Sequence, residues 1–444
     1  NKIDGSDNNF NCNGIIGPDR QLNPHAYELA YEYQNIWAEA VDLAKGKISV
    51  YNEYFFRDLS NYKMLWKLMQ DGKEVQSGQV DNLDVAPQQR VTMPLPYNVP
   101  ATGEVMLDIS FQLKSAEPLM AAGQQVAYRQ LTVREVAPSI KPVLVDNTKL
   151  KFKDDKKEGS YEITVKDFLE IEFDKTTGLL KEYEVGGKNL LGDGGTLRPN
   201  FWRAVTDNDM GQDLQKKLKL WRNPTMNLES LSYKKIGKQK VEVTVLYDMP
   251  EVQSKLTMNY LIYTNGIIDV TQSLKVTEGA KVGNPLRFGL TMQLPYNMET
   301  STFYGRGPIE NYVDRKVSQN VGIFTQTTEQ QFFSYIRPQE TGTKSDIRWW
   351  KQADNTQQGL LLTSDKLFSA SALHYSVMDL DDGDEKDQRH SPEVPKSKYT
   401  ELCFDLIQHG LAGQNSWGAP PLPQHRLPYK DMTFKVRISP LSIK

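Results

Sequence analysis

"KLTMNYLIYTNGIIDVTQSLKV", residues Lys255 to Val276, alternates apolar and polar residues on both sides of a single Asn-Gly pair. Leu256, Met258, Tyr260 and Ile262 fall on one side of an extended chain, and beyond Asn265-Gly266 so do Ile268, Val270, Leu274 and Val276. A period of two marks a strand with one buried face. Asn-Gly supplies the positive φ angles of a two-residue turn whose twist matches its strands. The stretch predicts an antiparallel hairpin.

The same grammar recurs outward from it. Asp71-Gly72 separates "MLWKLMQ" from "KEVQSGQV", and shorter period-two runs occur at Ile48 to Phe56, Tyr161 to Val165, Ile171 to Phe173 and Val241 to Val245. Helical patterning is confined to Pro24 to about Ile36, where Pro24 suits a first turn, and to Gln212 to Trp221. The chain reads as mainly β and antiparallel. Its 444 residues exceed the roughly 250 to 300 at which single cores stop growing. Residues 37–136 carry six or seven short strands, the size of an immunoglobulin-like β-sandwich. Residues 137–159, with prolines and a lysine-rich run, read as a linker, and residues 160–444 as one large double-sheet β-sandwich.

Composition excludes several function classes. Lysine plus arginine number 53 against 56 aspartate plus glutamate, a net charge of −3, so the clustered basic excess of a nucleic-acid binder is missing. No stretch approaches the roughly 18 consecutive apolar residues of a membrane span, and mean hydropathy is −0.57. The chain reads as soluble, with cytoplasm and periplasm both open. Cys12 and Cys403 make no disulfide framework.

HExxH, paired CxxC and GxSxG are all lacking, which removes the usual signals of zinc hydrolases and α/β-hydrolases. "LGDGGTLRP" has no following GK[ST] and is not a phosphate loop. In "MDLDDGDEKD", Met378 to Asp387, the positions that a calcium loop needs fall on Met378, Leu380 and Asp382, so a solvated loop is the better reading. The five histidines are scattered. His374, in "FSASALHYS", is the one that invites an acid-base role; a buried, hydrogen-bonded core histidine is the stronger reading.

Four stretches read together resemble a known family: "FWRAVTDNDMG" (Phe201 to Gly211), "YGRGPIENYVDRK" (Tyr304 to Lys316), "RPQETGTKSDIRWW" (Arg337 to Trp350) and "GQNSWGAPPLPQHRLP" (Gly413 to Pro428). They are similar to blocks of the long, lac-type β-galactosidases of glycoside hydrolase family two, and "NFNCNGIIGPDR" (Asn9 to Arg20) resembles the end of that family's catalytic barrel. The blocks stand in the same order and the likeness covers essentially the whole chain. It implies a carboxy-terminal portion: residues 1–36 as a remnant of the end of the (β/α)₈ barrel, then an immunoglobulin-like sandwich, then a large mutarotase-like β-supersandwich.

Family members hydrolyse terminal β-galactosides with retention, using two glutamates as acid/base and nucleophile. Retention needs those carboxyls roughly 5 Å apart, one protonated and one ionised. The resemblance places both in barrel segments that have no match here, which implies a chain inactive alone. Its partners would be the β-galactoside substrate and the remainder of a β-galactosidase with its barrel domain, and the resemblance leaves a homo-oligomer open.

Asn13 matches an asparagine that binds sodium and lies beside the galactose; a neutral amide oxygen suits a hard cation while its NH₂ can donate to a hydroxyl. Read without the resemblance, Asn13 before Gly14 simply holds a turn. Phe10 matches a residue whose backbone carbonyl meets the same sodium, and Cys12 between them reads as packing. Trp417 matches a tryptophan of the sugar platform, its indole complementing the C–H face of a pyranose. Gly211 matches a loop hinge. Leu214 stands where relatives can carry an acidic residue near magnesium, so that metal's ligands would lie mostly outside this chain. Asp207, Asn208 and Asp209 read as helix caps, and Arg306, Glu310, Asn311, Arg315 and Arg348 as a bracing polar network. Two other classes stand beside this reading: a stand-alone carbohydrate-binding module, and a mutarotase-like enzyme working through His374.

Overall fold

The computed structural model describes residues 14–381, 383–385, 389–415 and 418–441. The chain divides into two units, Asn1–Ala137 with Arg315–Ile323, and Pro138–Asp314 with Phe324–Lys444. It is mainly β.

Among the described residues the smaller unit holds seven strands: β1 (Ile36–Asp42), β2 (Lys47–Asn52), β3 (Tyr62–Gln70), β4 (Lys73–Val80), β5 (Arg90–Pro94), β6 (Val105–Leu113) and β7 (Gln125–Arg134). They form a three-stranded sheet ordered β1-β2-β5 and a four-stranded one ordered β4-β3-β6-β7. Alternation puts Met64, Trp66 and Leu68 of β3 and Leu107, Ile109 and Phe111 of β6 in one core with Ile36, Ile48 and Val50. At the β3–β4 turn Gln70 pairs with Lys73, and Asp71 and Gly72 both take positive φ, 48° and 78°. This is the two-residue turn that the Asp-Gly pair predicts.

Helix α1 (Pro24–Glu32) precedes β1. It is shorter than its sequence pattern, because Tyr33 caps it and Ile36 is already paired with Asn52 across β1 and β2. Its Tyr31 is buried edge-on against Trp37 and Tyr128, with ring centroids 5.7 and 5.3 Å away. The segment Arg315–Ile323 belongs to this unit, against its expected place in the large sandwich. The physical reason is polar: Glu28 accepts from Val317 N and Ser318 N, both at 3.0 Å, and Tyr128 Oη donates to Ser318 O at 2.7 Å.

In the larger unit, strands Ser254–Tyr263 and Ile268–Val276 pair antiparallel from Ile262↔Ile268 outward, as the opening stretch predicts. The turn itself differs. Tyr263 N donates to Ile267 O and Gly266 N to Tyr263 O, each at 3.0 Å, so the loop has three residues, and only Gly266, at φ 80°, needs the left-handed region. This hairpin sits in one continuous antiparallel sheet that curls and closes on itself, with seventeen strands among the described residues. Its core includes Met258, Tyr260, Phe288, Phe303, Trp350 and Phe404.

The expected linker 137–159 is only partly a linker. Lys151–Asp155 is a strand paired with Ser160–Val165, with Lys151, Lys153 and Asp154 exposed to water. The expected helix Gln212 to Trp221 is also broken. Helix α2 (Asp207–Gly211) and helix α3 (Leu214–Lys217) flank Asp213, whose φ of 59° no continuous helix tolerates, and a 3₁₀ turn, Lys219–Trp221, follows.

Candidate functional site

The four sequence blocks meet inside the larger unit around buried charge. Thr206 caps α2: its Oγ1 accepts from Asp209 N while the Asp209 carboxylate accepts from Thr206 N at 3.0 Å, a reciprocal capping box. The same carboxylate faces the Arg203 guanidinium, with Nη2 to Oδ1 at 2.8 Å and Nε to Oδ2 at 3.2 Å, and both side chains are 0% exposed. Arg203 is the positive end of a clamp. Its Nη2 also donates to Gly410 O at 3.0 Å and its Nη1 to His409 O, which ties α2 to the loop that leaves strand Tyr399–Gln408.

That loop is held from two further sides. The Asp314 carboxylate accepts from Leu411 N at 3.0 Å and Ala412 N at 2.9 Å, and Asn208 Nδ2 donates to Leu411 O at 3.3 Å. Where the loop returns, Gly418 (φ 77°) lies against the end of α2. A Cβ on Gly418 would stand 2.1 Å from Gly211 O, whereas one on Gly211 would stand 3.3 Å from Gly418 Cα. Gly211 has no left-handed φ. Its small size lets the loop approach, so the reason for glycine here is space rather than backbone freedom. Gly418→Ala is expected to destabilise the unit by about 1–3 kcal/mol, from left-handed strain plus the clash, and Gly211→Ala by under about 1 kcal/mol. Urea midpoints would check the order, and equal losses would contradict it.

His409, buried beside Arg203, is held neutral. Burial, then the guanidinium charge, push its pKa down to about 4, and its Nδ1 accepts from Leu427 N at 3.1 Å. A base with a lowered folded-state pKa refuses a proton that the unfolded chain accepts from about pH 6.5 downward. Its contribution is therefore intact above about pH 6.5 and is lost as pH falls towards 4. Relative to His409→Gln, the protein should lose about 2 kcal/mol between pH 8 and pH 5, read by denaturant unfolding at both values. A pH-independent difference would overturn this.

A second hub sits deeper. Arg287 Nη2 donates to Glu340 Oε1 at 2.9 Å, and its Nε lies 3.3 Å from Asp405 Oδ2. Burial pushes the Asp405 carboxyl up to about 7. Glu310, also buried, accepts from Thr341 Oγ1, Gly342 N and the Tyr335 hydroxyl. Asn311 Oδ1 accepts from Ser345 N at 3.0 Å, and Arg306 Nε pairs with Asp346 at 2.6 Å. These side chains brace strands and loops, as their residue types and spacing suggest; Arg315 is the exception, lying in the smaller unit.

Of the residues singled out from the sequence, Phe10, Asn13 and Trp417 lie outside the described residues, as does Cys12. Gly211 ends α2, and Leu214 opens α3 half-buried against the core. Asp209 fulfils its expected capping role, with Thr206 as the N-cap itself. His374 is 3% exposed. Its ring stacks on Tyr296 at 3.8 Å, its Nε2 meets Tyr296 O at 3.1 Å and its Nδ1 meets Thr328 Oγ1 at 3.4 Å, and burial lowers its pKa. This is a packed core histidine. Among the described residues no group of three or more His, Cys, Asp or Glu is arranged to hold a metal. The acidic run near Gly383 is engaged instead: Arg222 pairs with Asp381 at 3.1 Å and Asp384 at 2.7 Å. Sequence reading missed the Arg203, Asp314 and His409 clamp, since Arg203 and Gly410 are 207 positions apart.

Comparison with known proteins agrees with this architecture. A family model described as the β-galactosidase small chain matches residues 165–438, and one described as β-galactosidase domain 4 matches residues 48–134. A β-galactosidase of Priestia megaterium is 31% identical over 95% of this chain and 40% of its own length. One from Lactobacillus delbrueckii subsp. bulgaricus is 29% identical over 99% and 42%, and one from Streptococcus thermophilus 27% over 94% and 39%. The chain thus spans about two fifths of the length of these relatives. A solved galactose 1-epimerase from Lactobacillus acidophilus aligns with 66% of this chain and 99% of its own at a TM-score of 0.38 and 8% identity, a likeness too slight to build on. By the match across the curled-sheet unit, this chain belongs to the β-galactosidase small-chain family.

Proposed function

We propose that the chain is the carboxy-terminal portion of a family-two β-galactosidase that hydrolyses terminal β-D-galactosides with retention. The observation that carries this reading is coverage: nearly the whole chain aligns with β-galactosidases, yet it accounts for only about two fifths of them. The acid/base and nucleophile glutamates would belong to the remaining part, whose barrel domain is the partner this reading requires.

The chain's own residues would bind and orient. Phe10 through its carbonyl and Asn13 through its amide oxygen would hold a sodium ion, a neutral oxygen donor set suited to a hard cation, and Asn13 would donate to a galactose hydroxyl. Trp417 would present its indole to the C–H face of the pyranose. The clamp through Arg203, Asp209 and Asp314 fixes the chain at Gly410 to Ala412, on the amino-terminal side of Trp417. Magnesium would be held mainly by residues of the other part.

The assay is direct. The purified chain should not turn over a nitrophenyl β-galactoside, at any pH from 5 to 8, while a chain extended by a barrel domain from a relative should. Turnover by the purified chain would overturn the reading.

A further inference from the structure

The larger unit contains a cavity of about 410 Å³ that none of the clamp residues lines. Its floor is a sheet face whose chemistry follows from register. Thr291 pairs with Arg198 on one side and Cys403 on the other, and Gln293 pairs with Glu401, so these five side chains share one face of strands Leu197–Asn200, Arg287–Pro295 and Tyr399–Gln408. The opposite face carries Leu197, Leu290, Met292, Leu402 and Phe404 into the core. The polar face of such a sheet ordinarily meets water. Here Thr291, Glu401 and Cys403 are buried, and Trp202 and Trp221 line the cavity with Arg198, Thr291 and Glu401. The Arg222 ion pairs to Asp381 and Asp384 and the Trp202 bond to Asp381 hold that cover in place.

Glu401 is the feature that ordinary packing does not explain. It is 3% exposed; its Oε1 accepts from Ser397 Oγ at 2.9 Å and Gln293 Nε2 at 3.2 Å, while its Oε2 is buried with no hydrogen-bond partner. A buried carboxyl oxygen left unpaired is expensive unless something in the cavity repays it. Burial raises the Glu401 pKa against the hydrogen bonds from Gln293 and Ser397 and the Arg198 charge, and the unpaired Oε2 can accept a hydrogen bond from a hydroxyl. Volume, aromatic lining and a few converging polar groups match a small-molecule site. Arg198 and Glu401 together balance charge, which disfavours an anion, and the apolar side chains of Leu179, Met226, Val377 and Met378 that also line the cavity suit the C–H groups of a neutral ligand.

We propose that this cavity binds a small neutral polyol, a mono- or disaccharide, with Glu401 Oε2 hydrogen-bonded to a ligand hydroxyl and Arg198 at its exposed edge. The proposal is independent of the hydrolytic reading, because binding here needs no other chain. D-galactose and lactose, titrated into the purified chain, should perturb tryptophan fluorescence and give saturation-transfer NMR signals with Kd near the millimolar range, about 1 mM. Glu401→Leu and Arg198→Ala should each weaken binding about tenfold or more. Arg198 is exposed, so its variant keeps the fold and decides the matter even where Glu401→Leu does not fold. No saturable binding of either sugar below about 50 mM, affinity unchanged in Arg198→Ala, or displacement of the sugar by acetate would each overturn the proposal.

Discussion

Asp209→Ala should cost the larger unit about 3–5 kcal/mol, read as the drop in unfolding free energy in urea. The size follows from what stays behind. Asp209 is the counter-charge of a guanidinium with no solvent exposure, and arginine does not shed its proton in proteins. Truncation leaves Arg203 charged among the carbonyls of His409 and Gly410, and it also opens the capping box of α2, itself worth about 1 kcal/mol. Because the stranded charge cannot titrate, the deficit should hold between pH 5.5 and 8.5. Replacing both partners, as in Arg203→Met with Asp209→Leu, should recover part of the loss, since an apolar pair leaves no buried charge. A loss below about 1 kcal/mol would show that water reaches the pair.

What could be read from the sequence was whatever depends on near neighbours along the chain. Alternation located the strands Ser254–Tyr263 and Ile268–Val276, and Asp71-Gly72 specified its turn to the φ angles. Asn265-Gly266 did not, because the bonds of Tyr263 to Ile267 and Gly266 settle the loop length, and a dipeptide does not state which flanking residues pair. Helix α1 lost its last turn to the pairing of Ile36 with Asn52, a tertiary preference that overrides local pattern. Asp209 in "FWRAVTDNDMG" reads as a helix cap and Arg306, Glu310 and Asn311 in "YGRGPIENYVDRK" as a bracing network, and they do cap and brace. Which charge meets which was not legible. Arg203 and Asp209 are six apart, but Asp314 reaches Leu411 across 97 positions, and nothing in a one-dimensional pattern marks that closure. Glu401 is the sharpest case, reading as an ordinary polar residue in "YTELCFD" until the register puts it on a covered face.

Arg287→Met should be as destabilising as Asp209→Ala at pH 8.5, about 3–5 kcal/mol, yet it should behave differently as acid is added. Arg287 lies between two buried carboxyl groups, Glu340 at 2.9 Å and Asp405 at 3.3 Å, so its removal strands negative rather than positive charge. Carboxylates, unlike guanidinium, can escape by taking a proton. With the arginine present, burial already pushes Asp405 up to about 7; without the guanidinium it rises further above its unfolded value of about 4. A carboxyl whose folded-state pKa is raised binds protons more tightly when folded, so its penalty is full at high pH and relieved as pH falls through the raised range. The Arg287→Met deficit should therefore shrink by at least half between pH 8.5 and 5.5, while that of Asp209→Ala stays level. Urea unfolding of both variants at the two pH values separates the outcomes. Parallel curves would mean that the Arg287 hub is solvated and that Asp405 is not raised. Divergence would establish that the sheet unit is held by charges of opposite titration behaviour, one fixed and one that acid can neutralise.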